Sequence, residues 1–301
     1  MKPIVQLHNI SDITNFVNTK TNHPLVAIVD FSKVDEHIED GTRISADFYS
    51  IMFKNYCINK LRYGRQSYDF QEGSLICIAP KQVLTMDNEI EKRPDMMGWG
   101  LFFHPDLLRG TSLGNKIHEY TFFNYETSEA LHLSDKEKNI LFDCIQKIEI
   151  ELQENIDHHS QNLIVSNIEL LLNYCMRYYG RQFLTRKVSS NDTITKVEQL
   201  IKSYFTSNDI KETGLPSVKY LADGVNLSPS YLSDLLKKET GMTTQDHIHY
   251  HLIESAKNIL NNTDHSISEI AYSLGFEYPQ YFSKLFKQKT GQTPLEYRKL
   301  N

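Results

Sequence analysis

The chain has 301 residues, with 32 Lys and Arg against 38 Asp and Glu for a formal net charge of -6, and four cysteines. That length suits two or three domains, each able to bury a core. No apolar run is long enough for a membrane span, and the start Met1-Lys2-Pro3-Ile4 does not continue into a signal-peptide core. Cys57, Cys77, Cys144 and Cys175 are widely spaced in apolar segments, the pattern of reduced, buried thiols in a cytoplasmic protein rather than of a disulfide framework.

Residues 24–130 read as β structure. Pro24 to Phe31, Phe48 to Lys54, Ser74 to Ile78, Val83 to Met86 and Gly98 to Phe103 are short runs rich in β-branched or aromatic residues, separated by Gly, Asn and Asp. Strands at that spacing imply a barrel or a double-sheet roll. A metal-dependent enzyme on such a scaffold needs clustered histidines with a carboxylate. Residues 48–103 contain no His, and His104 and His118 are isolated, so neither a metal site nor another cofactor is expected here, and an enzyme is not expected. Trp99, Tyr63, Arg65 and Phe103 are candidates to line a pocket for a small effector, the competing role for Trp99 and Phe103 being plain core packing.

Two strong helical patterns follow within residues 131–180. Ser134 is placed to cap a helix running toward Asn155, with Ile140, Leu141, Cys144, Ile148 and Leu152 at helical spacing. A second runs from His158 to Tyr179 with Leu163, Ile164, Ile168, Leu171, Leu172 and Cys175 apolar. The wide apolar stripe favours dimerisation over packing against the β segment alone. Residues 181–192, with Arg181, Arg186, Lys187 and Ser189-Ser190-Asn191, read as an exposed linker.

The last segment, residues 193–301, repeats itself at an offset of 50 residues. Tyr231-Leu232, Leu235, Lys237, Thr240-Gly241 and Thr243 recur as Tyr281-Phe282, Leu285, Lys287, Thr290-Gly291 and Thr293, so one supersecondary unit is used twice. Each unit has a short apolar segment containing Ala222 or Ala271, a tight turn at Asn226 or Gly275, and a longer amphipathic segment closed by Gly241 or Gly291. Ser228-Pro229 has the form of a helix cap followed by Pro at the first helical position. Leu232, Leu235 and Leu236, and then Phe282, Leu285 and Phe286, bury one face of each longer segment and leave the other free. That is the pattern of two helix-turn-helix units in an all-α domain.

The stretch Ile270-Ala271, Gly275-Phe276, Tyr281-Phe282, Leu285-Phe286-Lys287, Gly291, Thr293-Pro294 and Tyr297-Arg298 resembles the signature of the AraC/XylS family of transcription regulators. Leu221-Ala222, Leu227-Ser228-Pro229, Tyr231-Leu232 and Lys237 to Gly241 resemble that family's first helix-turn-helix. The resemblance covers about Val218 to Arg298. It implies an α+β protein with a cupin-like β-barrel over residues 1–130 that senses a small effector, a helical pair that supplies a homodimer contact, and a double helix-turn-helix reader of double-stranded DNA. It also implies an activator that contacts RNA polymerase. A connecting helix, Gln245 to Asn261, would hold the two recognition helices in successive major grooves about 34 Å apart.

Carried over residue by residue, the base-edge contacts fall on Ser230, Ser233 and Asp234 in copy one, and on Pro279, Gln280, Ser283 and Lys284 in copy two. Gln280 suits adenine and Lys284 guanine, each worth about 1–3 kcal/mol of discrimination in good geometry. Asp234 can only accept, from a cytosine amino group, unless it serves as a surface partner for Lys237 or Lys238. Tyr231 and Tyr281 are expected to pack with their hydroxyls at the phosphate edge. His247, His249 and His251 on the connecting helix are expected to be surface or packing residues rather than zinc ligands. From Thr193 onward there are 12 residues of each charge sign, leaving 20 basic against 26 acidic before it. A neutral DNA-binding segment must rely on local clusters such as Lys284, Lys287 and Lys289, on helix N-termini and on dimerisation.

Overall fold

The structure, a computed structural model, describes residues 3–34, 41–54, 73–86, 98–126, 129–154, 157, 159–185, 187–207, 210 and 213–300. The chain divides into two units, Met1–Gln182 and Phe183–Asn301.

In the first unit the strands are β1 (Ile4–Leu7), β2 (Val26–Asp30), β3 (Thr42–Ala46), β4 (Tyr49–Lys54), β5 (Ser74–Ile78), β6 (Val83–Met86), β7 (Gly98–Phe103) and β8 (Leu131–His132). Five of these match the runs read from the sequence; β1, β3 and β8 are additional. They form two sheets, β2-β7-β4-β5-β8 and β1-β3-β6, rather than the closed barrel that was expected. Of the expected roll and barrel, the described strands realise two separate layers. The larger sheet is antiparallel, with Ile51 opposite Leu101 on one side and Cys77 on the other. In the smaller one β1 runs parallel to β3.

One core joins the layers. Leu7, Ile44 and Leu84 of the small sheet pack with Val29, Met52, Ile78 and Phe102 of the large one. Helix α1 (Ile10–Phe16) adds Ile10 and Ile13, and its N-terminus is fixed by Asp12, whose carboxylate accepts from the His8 and Asn9 N–H groups. Strands β5 and β7 are buried along their whole length, which is why they read as unbroken apolar runs.

A short helix, α2 (Ser112–Lys116), precedes the two long helices of this unit, α3 (Asp135–Gln153) and α4 (Ser160–Thr185). Glu137 Oε2 accepts from Ser134 N at 2.8 Å, closing the capping box that the Ser134 reading anticipated. Leu141, Cys144, Ile145 and Ile148 face inward from α3, and Ile164, Ile168, Leu171, Leu172 and Cys175 from α4. Among the described residues no helix is long and apolar enough to cross a membrane.

Residues 181–192, expected as a linker, are instead helical over most of their length. Helix α4 runs to Thr185 and α5 (Lys187–Thr206) begins two residues later. The chain is held there by Gln182, which is 2% exposed, accepts from His132 N at 2.9 Å and donates to Ala130 O at 3.1 Å. Arg181 Nη2 adds a 2.7 Å bond to His132 O, and its Nε lies 2.8 Å from Glu137 Oε1.

After α5 the second unit continues with α6 (Val218–Val225), α7 (Pro229–Thr240), α8 (Thr244–Asn262), α9 (Ile267–Ser273), α10 (Pro279–Thr290) and α11 (Pro294–Leu300). Each helix-turn-helix has its own core: Leu221, Ala222, Leu232, Leu236 and Ile248 for the first, and Ala256, Ile270, Ala271, Phe282 and Phe286 for the second. Fully burying Phe282 or Phe286 contributes about 1.5–3 kcal/mol each. Phe205, at the end of α5, packs against both cores. Helix α8 matches the expected connecting helix to within a residue at each end, with Ile248, Leu252, Ala256 and Leu260 buried and Ile259 half-buried.

Candidate nucleic-acid interface

The two longer helices of the repeat, α7 and α10, are built alike. Each starts with Pro at the first helical position and runs twelve residues to a glycine in the left-handed conformation, Gly241 at φ 79° and Gly291 at φ 81°. Ser228 Oγ accepts from Tyr231 N at 3.2 Å and so caps α7. Helix α10 has Tyr278 at its cap and no side-chain cap bond; Pro279 carries no N–H and the Tyr281 N–H donates to Tyr278 O at 3.0 Å.

The turns differ in residue, but each places that residue at positive φ. Asn226 sits at φ 56° and Gly275 at φ 80°. Asn tolerates that region; Gly275 also has no room for a side chain, since a β-carbon would stand 2.5 Å from Ile210 O and 2.9 Å from Gly214 Cα. The close approach holds the second turn against Ile210 and Gly214, and Tyr204 Oη also bonds Thr213 Oγ1 at 2.6 Å and Gly214 O at 3.0 Å.

In copy two, Gln280, Lys284 and Lys287 are exposed, and their spacing puts them on one face of α10. Pro279 and Ser283 are half-buried beside them. Lys289, expected in the same basic cluster, is drawn aside: its Nζ lies 2.9 Å from Asp246 Oδ1 at the start of α8. That ammonium, with bonds from Thr243, holds the Asp246 carboxyl at about 2, below the usual carboxylate range. The pair therefore ties the end of the second recognition helix to the first turn of the connecting helix.

Copy one presents less. Ser230 and Asp234 are half-buried, and Ser233 Oγ donates to Thr244 Oγ1 at 3.0 Å, so its hydroxyl holds α7 to α8 instead of facing outward. Tyr231 packs as expected: it is 6% exposed and edge-on to the Phe183 ring, with centroids 4.9 Å apart. Tyr281 departs from the expectation. It is 60% exposed and makes an edge contact with Tyr278 at 5.8 Å, two aromatic side chains that the sequence reading did not place on the outer face.

The connecting-helix histidines serve packing and local bonding. His247 is buried, with Nε2 2.9 Å from Thr240 Oγ1, and burial lowers its pKa. His249 Nε2 lies 2.9 Å from Gln245 Nε2.

Of the residues expected to line an effector pocket, Tyr63 and Arg65 lie outside the described residues. Trp99 and Phe103 are buried, Trp99 stacked on Phe53 at 6.0 Å and Phe103 on Tyr49 at 5.1 Å. Neither lines the apolar cavity of about 60 Å³ between the two sheets. Strand alternation explains why: residues 99 and 103 share one face of β7, and Phe102, which does line the cavity, points to the other. Ile44, Met52, Leu84 and Lys54 also border it, with Lys54 Nζ 4.6 Å from the centre of the Phe31 ring. Cys77, Cys144 and Cys175 are free and buried, and burial pushes the Cys77 thiol well up. Cys57 lies outside the described residues.

Residues 221–300 match the sequence family described as a helix-turn-helix domain. Over 190 residues the chain is 25% identical to the uncharacterized HTH-type transcriptional regulator YijO of Escherichia coli, which covers 62% of each chain. It is 35% identical over 102 residues to the bifunctional transcriptional activator/DNA repair enzyme AdaA of Bacillus subtilis, covering 34% of this chain and 47% of that one. It is 38% identical over 84 residues to the xylose operon regulatory protein of Escherichia coli, covering 28% of this chain and 21% of that one. The chain thus spans less than two thirds of each of these relatives.

Proposed function

We propose, from the helix-turn-helix match over residues 221–300 and the likeness to the xylose operon regulatory protein, that the chain is a regulator of the AraC/XylS family, sequence-specific, binding double-stranded DNA as a homodimer and answering to a small effector. The observation that carries this reading is the duplicated recognition helix. Its second copy shows a row of Gln280, Lys284 and Lys287 on a helix whose opposite face is locked in a core by Phe282 and Phe286. Such a row suits the major groove, with Gln280 and Lys284 at base edges and Lys287 toward phosphate. Selection of genomic DNA fragments by the purified protein tests it. Enrichment of a few sites, lost or relaxed in the Gln280→Ala, Lys284→Ala double variant, is expected; enrichment unchanged by that variant overturns the assignment.

The homodimer rests on α4. Leu163, Leu170 and Leu184 are exposed and recur at multiples of seven residues, the period of a helix seam. The effector reading rests on the cavity between the sheets, with β4 and β7 contributing to its wall. Activation through contact with RNA polymerase, and a cytoplasmic place of action, follow from the family reading and from the free buried cysteines. The relatives named only as regulators favour a non-enzymatic role, and AdaA, which is also a repair enzyme, is matched over 47% of its length.

One observation favours a second reading, a regulator set by its abundance or by a protein partner. The cavity, at about 60 Å³, is far below the roughly 300–1,000 Å³ of a typical ligand pocket. A metabolite screen by thermal shift separates the two, since a ligand that binds the folded state raises apparent stability by mass action.

A further inference from the structure

Helix α10 carries more on its outer face than the polar row of Gln280, Lys284 and Lys287. Tyr281 lies in its first turn and is 60% exposed, and Tyr278, at the cap, is 48% exposed. The two rings meet edge to face, with centroids 5.8 Å apart and planes at 89°. At about 100° per residue, Lys287, Gln280, Lys284 and Tyr281 follow one another across an arc of about 120°, with Lys284 between Gln280 and Tyr281. Phe282 and Phe286 occupy the far side and are fully buried. Tyr281 therefore shares the face of Gln280 and Lys284. It also stands at the N-terminal end, the part of a recognition helix that meets base edges, whereas Lys287 lies about two turns further along.

A tyrosine in that place has two ways to meet DNA: its hydroxyl at a phosphate or its ring at a base. This end of the helix is poorly made for phosphate. Pro279 has no N–H and the Tyr281 N–H is spent on Tyr278 O at 3.0 Å, which leaves the helix start short of the donors that bind anions. The exposed carboxylate of Glu277 adjoins Tyr278 and repels a phosphate. What remains is an aromatic surface, and the edge contact with Tyr278 holds it in place before binding, so that little order is lost when it docks.

One base presents an apolar group in the major groove, the C5-methyl of thymine. We propose that Tyr281, positioned by Tyr278, reads the methyl group of a thymine next to the base pairs met by Gln280 and Lys284. The inference rests on the DNA-binding reading of α10 and adds a specificity residue to it. The ring carries the contact, in place of the phosphate-edge hydroxyl expected from the sequence.

The test uses the full-length protein and a DNA fragment selected by the wild type, in which each thymine is replaced in turn by deoxyuridine, a change that removes only the methyl. Competition binding compares the wild type with Tyr281→Phe, Tyr281→Ala and Tyr281→Ser, each first checked for folding by circular dichroism; the serine variant stands in should the alanine variant not fold. At one thymine the wild type is expected to bind the deoxyuridine fragment about fourfold more weakly, the worth of one buried methyl. Tyr281→Phe keeps that ratio, and the two truncations bind both fragments alike. The proposal is overturned if the wild type discriminates at no thymine. It is also overturned by a ratio that survives truncation, which belongs to the shape of the DNA, or by a Tyr281→Phe variant as weak as Tyr281→Ala, which returns the contact to the hydroxyl. If the Gln280→Ala, Lys284→Ala variant loses site selection and no thymine depends on Tyr281, the DNA reading stands and the thymine contact falls. If that double variant still selects the wild-type sites and the ratio vanishes on truncation of Tyr281, the thymine contact stands and the roles of Gln280 and Lys284 fall. A wild type that selects no DNA removes both.

Discussion

Gly275→Ala is the sharpest test of how the second helix-turn-helix is held. At φ 80° an L-residue carries about 1–2 kcal/mol of strain that glycine does not. The new β-carbon would also meet Ile210 O at 2.5 Å and Gly214 Cα at 2.9 Å, both backbone atoms, so the turn or these neighbours must move. Forced overpacking of that kind adds about 1–3 kcal/mol, giving about 2–5 kcal/mol in all against a typical domain stability of about 5–15 kcal/mol. The repeat supplies its own control. Asn226 holds the matching conformation at φ 56° and already has a β-carbon, so Asn226→Ala carries only the modest strain part. Trp99, the only tryptophan, lies in the first unit, so its fluorescence reports on that unit alone. Urea unfolding followed by far-ultraviolet circular dichroism should show the helical transition displaced to lower urea by Gly275→Ala, with the Trp99 transition unmoved. A loss for Gly275→Ala no larger than that for Asn226→Ala would refute the argument from close approach.

Asp246 predicts an acid signature: its carboxyl is held at about 2 in the fold against 3.8 ordinarily, so its contribution is complete above about pH 4 and is lost as pH falls toward 2. The side chain is 40% exposed and screened, so Asp246→Asn should flatten the pH dependence of C-terminal unfolding only slightly in that window, and less in high salt; an unchanged slope would rule the pair out as a contributor. Lys287→Ala should weaken DNA binding to every sequence alike and lower the salt slope by about one, whereas Gln280→Ala should cost about 1–3 kcal/mol at one base position and leave others unchanged; competition binding on single-base variants tells these apart. Leu170→Glu places a charge in the exposed α4 stripe and is expected to convert a dimer to monomer in sedimentation, while a monomeric wild type would remove the dimer assignment.

The parts legible in the sequence are those where a single period or residue type decides the outcome. Strands β5 and β7 are buried throughout and appear as plain apolar runs, and the helix-turn-helix turns are announced by Asn226 and Gly275. Strand β1 was missed because only Leu7 of its four residues is fully buried, which leaves too weak a pattern in so short an element. Residues 181–192 were misread because Gly180 and Ser189-Ser190-Asn191 are loop signals, whereas the helix is fixed by tertiary bonds from Arg181 and Gln182 to β8. On the candidate site, helical spacing was enough to bring Gln280, Lys284 and Lys287 together. It could not separate Tyr231 from Tyr281, since the residues match while one packs on Phe183 and the other on Tyr278, both outside the matched positions. Strand alternation puts Trp99 and Phe103 on the face of β7 opposite Phe102, so they do not border the cavity between the sheets.

Phe205 touches the cores of both helix-turn-helix units, and this limits what can be exchanged between regulators of this kind. A graft of one unit alone leaves Phe205 facing a surface shaped for a different neighbour. The smallest piece that can be transplanted with its wall intact begins before Phe205 and ends after α11. The motif occurs twice, but a single aromatic ring joins the two copies.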